Sequence, residues 1–246
     1  MFTTLRNIGQ YFLLLRRVFS IPERKTIFFK QLILEIEKIG LNSLGIVIII
    51  SLFMGAVVTI QATLNLLNPL LPKYLIGLAT RDSLILEFSP TMIALILAGK
   101  VGSNVASEIG SMRVTEQIDA LEIMGINSAN FLILPKIIAA MFFFPFLVII
   151  SMAIGMFGGW LGSISVDVTT ADFLEGLKYE FIPFYVTYAL TKTLVFAFII
   201  TTVSSYYGYF TKGGALEVGV SSTKAVVYSS IVVLIFNFIL TKLLLA

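Results

Sequence analysis

Residues 84–125 read LILEFSPTMIALILAGKVGSNVASEIGSMRVTEQIDALEIMG, and a change of character inside that run decides the fold. Through residue 102 it is apolar enough to lie in a bilayer, although Glu87 and Pro90 stand within it. Beyond that point it turns polar and packs Glu108, Arg113, Glu116, Asp119 and Glu122 into a short helical patch. One such patch, flanked by long apolar segments, is the pattern of a membrane protein with a docking surface on one side.

Composition supports that reading across the whole chain. Of 246 residues, 58% are hydrophobic and 13% charged, against about 25% charged in a soluble domain. Mean hydropathy is +0.99. There is no Cys and no His, which removes thiolate chemistry, the commonest general base and the usual zinc ligand. No G-x-x-x-x-G-K-[ST] run occurs; Ala98-Gly99-Lys100 lacks both the first glycine and the Ser/Thr. The chain alone should not bind or hydrolyse ATP, and it is read as a non-enzyme. No basic stripe with interleaved aromatics points to nucleic acid.

A bilayer span needs about 20 apolar residues. Candidates lie at 41–61, 84–102, 132–162, 184–204 and 225–245. The third is long and contains Pro135 and Pro145; it reads as one helix that begins in the aqueous phase, with two short pieces as the alternative. The stretch 62–83, with Pro69 and Pro72, reads as a loop or a re-entrant piece. The fold class expected is an all-α integral membrane protein of a single domain, 1–246.

The N-terminal region 1–40 reads as amphipathic. Leu5, Ile8, Phe12, Leu15 and Phe19 form one helical stripe, with Arg6, Gln10, Arg16 and Arg17 mostly off it. A helix lying in the membrane interface fits this better than a signal peptide or a transit peptide. Pro22 should end it, and Phe28, Leu32, Ile36 and Ile39 lead into the first span. Lys/Arg placement sets orientation. With the N-terminus cytoplasmic, all basic residues except Lys73, Arg81, Lys178, Lys192 and Lys242 fall on or beside the cytoplasmic side. The charged patch is then cytoplasmic and the C-terminus is outside. Asp167, Asp172, Glu175 and Glu180 mark an external amphipathic segment over 165–183.

Residues 103–125 read as two short cytoplasmic helices. Thr115 is placed to cap the second, Glu116 and Asp119 sit in its first turn, and Gly125 follows its end. A charge run is usually a solvated loop. Here Ile109, Met112, Ile118 and Leu121 interleave with the charges as apolar knobs, which favours docking of a partner.

The run AGKVGSNVASEIGSMRVTEQIDALEIMGI (98–126) resembles the signature of the MlaE-type permeases, membrane subunits of lipid-handling ABC transporters. Tyr207-Gly208-Tyr209, Gly213-Gly214-Ala215, Glu217-Val218-Gly219 and Thr223 are similar to a second family block, and Met54-Gly55 with Gln61 echo the end of the first span. Two departures stand out. Ser89-Pro90 replaces the usual Gly-Pro, and Asn237 stands where relatives often carry an acid. The resemblance implies an MlaE permease fold with about five spans and a coupling element seated on an ATPase. The coupling residues carried over are Glu108, Gly110, Met112, Arg113, Thr115, Glu116, Gln117 and Asp119. It also implies a second copy of the chain, an ABC ATPase holding ATP and Mg, an MCE-domain lipid-binding protein, and phospholipid substrate. The setting implied is the bacterial inner membrane.

Charges inside the spans complete the reading. Glu87 and Lys192 each lie a few residues into a span that enters from outside. Such residues pair or line a wet cavity, or they snorkel to the interface. Relatives carry Glu and Lys at the matching positions, so the pair is grouped with Gln61 and Asn237 as the polar lining of a lipid cavity. Gly155, Gly158, Gly159 and Gly162 form one smooth stripe for close helix approach, within the subunit rather than in a dimer face. An ion-driven secondary transporter would want deeper acids and an internal repeat. That alternative, and a purely structural assembly protein, have less in the residues to support them.

Overall fold

The computed structural model describes residues 2–20, 25–66 and 71–245, and its regular structure is helical throughout them. The elements are α1 (Phe2–Val18), α2 (Lys25–Ile36), α3 (Asn42–Asn65), α4 (Tyr74–Ser83), α5 (Ile93–Leu97), α6 (Ser103–Val114), α7 (Gln117–Ile123), α8 (Ser128–Ile164), α9 (Thr170–Lys178), α10 (Pro183–Tyr209) and α11 (Ala215–Leu245). Three π-helical segments, Glu37–Leu41, Leu84–Met92 and Ala98–Gly102, join neighbouring helices without a break. Among the described residues, five continuous helices are long and apolar enough to cross a membrane: Ile27–Asn65, Tyr74–Val114, Ser128–Ile164, Pro183–Tyr209 and Ala215–Leu245. The chain is a multi-pass, all-α membrane protein.

The second span corrects an expectation. Residues 74–83 are neither loop nor re-entrant; they form α4, which runs on through the first π segment into α5 and α6. Pro90 has no N–H to give the preceding turn, and the helix carries it within the π segment instead of ending. Pro69 lies outside the described residues, as does Pro22 with its expected stop to α1. Helix α8 is a single rod across Pro135 and Pro145, capped by Asn127, whose side chain accepts from Asn130 N. Its 37 residues span about 55 Å, so one end stands clear of a hydrocarbon layer about 30 Å thick.

Packing shows why the glycines are where they are. A methyl group on Gly158 would collide with the Leu52 carbonyl, and one on Gly162 would lie 2.7 Å from Ala56 O. The stripe therefore serves α3 against α8 inside the subunit, as expected, and Ser51 Oγ donates to Ser151 Oγ across the same seam at 2.8 Å. Helix α9 is clasped onto α4. Arg81 is buried there and donates to Leu177 O at 3.0 Å and Tyr179 O at 2.6 Å.

Helix α1 lies against α8 and α10 through Leu14 and Val18, both buried, and through Tyr11, hydrogen-bonded to Thr202 at 2.8 Å. Ile8, Phe12 and Phe19 of the predicted stripe face outward. That leaves an apolar side for lipid, in keeping with an interfacial helix. Asn130 anchors the end of α1 by donating to Val18 O at 2.7 Å and Ser20 O at 2.6 Å.

Candidate functional site: a half-open ion pair and a charged segment

The first π segment presents Glu87 toward α10 and α11. Lys192 on α10 is completely buried, and its Nζ donates to Glu87 Oε1 at 2.9 Å, Tyr188 Oη at 2.9 Å and Thr241 Oγ1 at 3.2 Å. With Leu86 O at 3.4 Å as a fourth acceptor, no proton of the ammonium is left free. The ammonium also lies 4.7 Å from the centre of the Tyr188 ring. Glu87 Oε2 accepts from Asn237 Nδ2 and from Thr91 Oγ1, each at 3.1 Å. Yet the Glu87 side chain keeps 41% of its surface outside the protein. A sealed cation holds a carboxylate that remains open on one side, within otherwise apolar spans.

Of the four residues expected to line a polar cavity, Glu87, Lys192 and Asn237 come together. Gln61 does not: it is exposed near the end of α3 and makes no hydrogen bond to this cluster among the described residues. Tyr188, Thr241 and Thr91 were not singled out from sequence. A signal existed, since each is four positions from Lys192, Asn237 or Glu87 and so shares its helix face.

The charged patch folds as expected in outline and differently in detail. Its first helix, α6, continues the second span, and α7 follows a two-residue turn. Thr115 is not an N-cap. Its hydroxyl donates back to Ser111 O at 2.8 Å, which closes α6, and no side chain caps α7. Glu116 takes the turn at φ 60° and Gly125 leaves α7 at φ 77°. The left-handed conformation suits glycine but costs Glu116 about 1–2 kcal/mol.

The apolar knobs are also reassigned. Ile109 and Ile118 are fully buried, and Met112 and Leu121 pack on the core, because the amphipathic faces of α6 and α7 turn inward onto the bundle. The apolar residues that face out are Ile123, 87% exposed, and Met124, 65% exposed. Glu108 is engaged inside the chain, accepting from Lys38 at 3.0 Å and Lys136 at 2.7 Å. Lys136, 3% exposed, also reaches Glu35 at 2.6 Å. Arg113 bridges the turn to Asp119 at 2.7 Å. Gly110 lets α6 approach Thr211 and Val218 closely. Thr115, Glu116 and Gln117, with Ile123 and Met124, form the free face.

Glu122 joins this segment to α1. Its Oε1 accepts from Arg17 Nη2, Ser128 Oγ and Tyr209 Oη, each at 2.9 Å. Partial burial raises its pKa, but these three donors outweigh that and hold the carboxyl below the usual glutamate value.

Comparison with known proteins agrees with this architecture. The family model described as permease MlaE matches residues 32–243. A probable ABC transporter permease protein of Rickettsia bellii is 36% identical over 239 residues, 97% of this chain and 92% of that one. One from Synechocystis sp. is 36% identical over 85% of this chain and 80% of its own length. The chloroplastic protein trigalactosyldiacylglycerol 1 of Arabidopsis thaliana is 33% identical over 88% of this chain and 62% of its own length.

Proposed function

The chain belongs to the MlaE permease family and is an ABC transporter permease, and from that premise we propose that it moves phospholipid between the bacterial inner membrane and the periplasm or outer membrane. A separate cytoplasmic ATPase, which holds ATP and Mg, supplies the energy by seating on the face formed by Thr115, Glu116 and Gln117. Two copies of the chain pair, and an MCE-domain protein on the outer side receives or delivers the lipid. The N-terminus is cytoplasmic and the C-terminus periplasmic, which is the orientation the Lys/Arg distribution favours.

One observation carries the lipid reading. The ion pair of Glu87 and Lys192 is held in the apolar spans with the carboxylate partly open. A charge in that setting is expensive unless paired or functional. An open carboxylate backed by a fixed ammonium, with amide, hydroxyl and phenol groups beside it, is a polar anchor for the hydrogen-bond donors of a headgroup. The apolar helix faces around it suit acyl chains. The Arabidopsis relative bears the name of a galactolipid, which supports a lipid as the substrate class.

The test is reconstitution of the chain with its ATPase in phospholipid vesicles, following ATP-dependent movement of a fluorescent phospholipid. The double change Glu87→Gln/Lys192→Met is expected to keep the ATPase bound and to lose lipid movement. Full movement in that variant would make the pair structural and overturn the headgroup reading.

A further inference from the structure

At the end of the bundle that carries α7, residues of α1, α6, α10, α11 and the α10–α11 turn enclose a cleft of about 630 Å³. Among the described residues, four cations line it, Arg6, Arg113, Lys212 and Lys224, against the single carboxylate of Glu217. Arg113 spends one guanidinium nitrogen on Asp119 at 2.7 Å. Among the described residues, Arg6, Lys212 and Lys224 have no carboxylate within salt-bridge distance. Like charges brought together from separate elements repel one another, and the fold holds them there without enough internal counter-charge. An anion would relieve that repulsion.

The rest of the wall says which anion. Tyr206, Tyr207 and Phe210 close it at the end of α10, with the Tyr206 and Phe210 rings 5.1 Å apart. Aromatic residues at the end of an apolar span mark the level of the lipid headgroups. Beside them α1 turns Ile8 and Phe12 outward, so acyl chains can reach the flank. Basic pockets between membrane helices at this level meet lipid phosphates, and a guanidinium matches a phosphate in shape as well as charge. An acidic segment of a protein partner would answer the charges but not the aromatic wall.

We propose that this cleft binds the phosphate of an anionic phospholipid. It is a site distinct from the Glu87–Lys192 cluster: Tyr206 lies about 21 Å from Lys192 along α10 by helical rise. The proposal does not rest on the transport reading, since a bound anionic lipid here would fasten α1 and the α6–α7 segment to the membrane whichever substrate moves.

The experiment is native mass spectrometry of the detergent-purified complex of the chain with its ATPase, titrated with phosphatidylglycerol, phosphatidylcholine or inorganic phosphate. Phosphatidylglycerol is expected to be retained at least tenfold more tightly than either of the others. Arg6→Gln should weaken it about fivefold, and Lys212→Gln/Lys224→Gln about 25-fold, at roughly fivefold per charge removed near a membrane surface. Lys212 and Lys224 are exposed, so their loss should leave the thermal midpoint in place. Lys242→Gln, at the far end of α11, should leave lipid retention unchanged. Unaltered phosphatidylglycerol binding in the variants would overturn the proposal. So would inorganic phosphate held as tightly as the lipid, which would make the cleft a free-anion site. Loss of the ATPase from the double variant with lipid binding intact would make it a protein-docking surface and equally overturn it.

Discussion

Lys192 Nζ lies 2.9 Å from Glu87 Oε1 across 105 positions of sequence, and the two partners are unequal: the lysine is sealed and the carboxylate is 41% exposed. Removing either partner therefore has different consequences. Glu87→Gln strands a buried ammonium with only neutral acceptors and is expected to cost on the order of 3 kcal/mol. Lys192→Met leaves an unpaired carboxylate within the apolar spans, but one that keeps Thr91, Asn237 and Thr241 as donors, and should cost less, about 1–3 kcal/mol. The double variant should be more stable than Glu87→Gln alone. Thermal unfolding of the four proteins in detergent gives the coupling directly, and strictly additive losses would show that the two do not interact.

The seam between α3 and α8 predicts a second asymmetry. Gly158→Ala pushes a methyl into the Leu52 backbone, which has no flexible end to move aside, and should lose about 1–3 kcal/mol. Gly45→Ala, on the same α3 helix, meets nothing within 4 Å and should be neutral or slightly stabilising. Equal effects at the two positions would mean the close approach is not a stabilising contact.

In the α6–α7 segment two glutamates should separate function from stability. Glu116→Lys reverses an exposed charge without removing any hydrogen bond of its side chain within the described residues. It should release the ATPase or uncouple hydrolysis from transport while the permease unfolds at its usual temperature. Glu108→Lys adds a third cation beside Lys38 and Lys136 and should lower the unfolding temperature of the isolated permease. Pull-down of the ATPase alongside melting curves would distinguish the two, and the reverse pattern would overturn the assignment.

The Glu122 carboxyl sits below the ordinary glutamate value of 4.5 because of Arg17, Ser128 and Tyr209. A depressed carboxylate pKa stabilises the fold fully above the ordinary value and is lost as pH falls through the depressed one. The tie between α1 and α7 should hold at pH 7 and at pH 5, then fail in stronger acid. Spin labels at positions 13 and 124 should report a constant separation down to about the ordinary glutamate pKa and a wider one below it. Glu122→Gln should show the wider separation at neutral pH. A distance that does not change with pH would rule out the link.

Much of this molecule is readable from residues alone, for a definite reason. A bilayer imposes one length and forbids unsatisfied backbone, so apolar runs of the right size can only be spanning helices. That constraint explains why all five spans, the continuous α8 and the glycine seam are visible in the chain. It also explains why Glu87 and Lys192 stand out: an ionised group among apolar residues requires a reason. Their neighbours Thr241 and Thr91 do not stand out, because threonine hydroxyls within helices commonly bond their own backbone, as Thr193 does to Ala189 O, and Tyr188 reads as one more aromatic of an apolar span.

What the residues could not settle is which way each face turns. In water, an apolar side chain on an amphipathic helix points to the core. In a membrane, lipid is as apolar as the protein interior, so hydrophobicity does not separate a packed face from an exposed one. On α6 and α7 the two apolar surroundings in competition were a partner and the bundle itself: Ile109 and Ile118 could have met either, and tertiary packing buried them and left Ile123 and Met124 outside. Thr115 could have capped α7; the turn at Glu116 left its hydroxyl to Ser111. Glu108 had the look of a docking charge until Lys38 and Lys136, distant in sequence, closed on it. Composition and periodicity determined the number and place of the apolar spans, which are local properties of the chain in its solvent, but not how far the helices run beyond them, as from Tyr74 through Val114. The ion pairs, the inward faces and the cationic cleft were decided by helix-to-helix approach, a property no single segment contains.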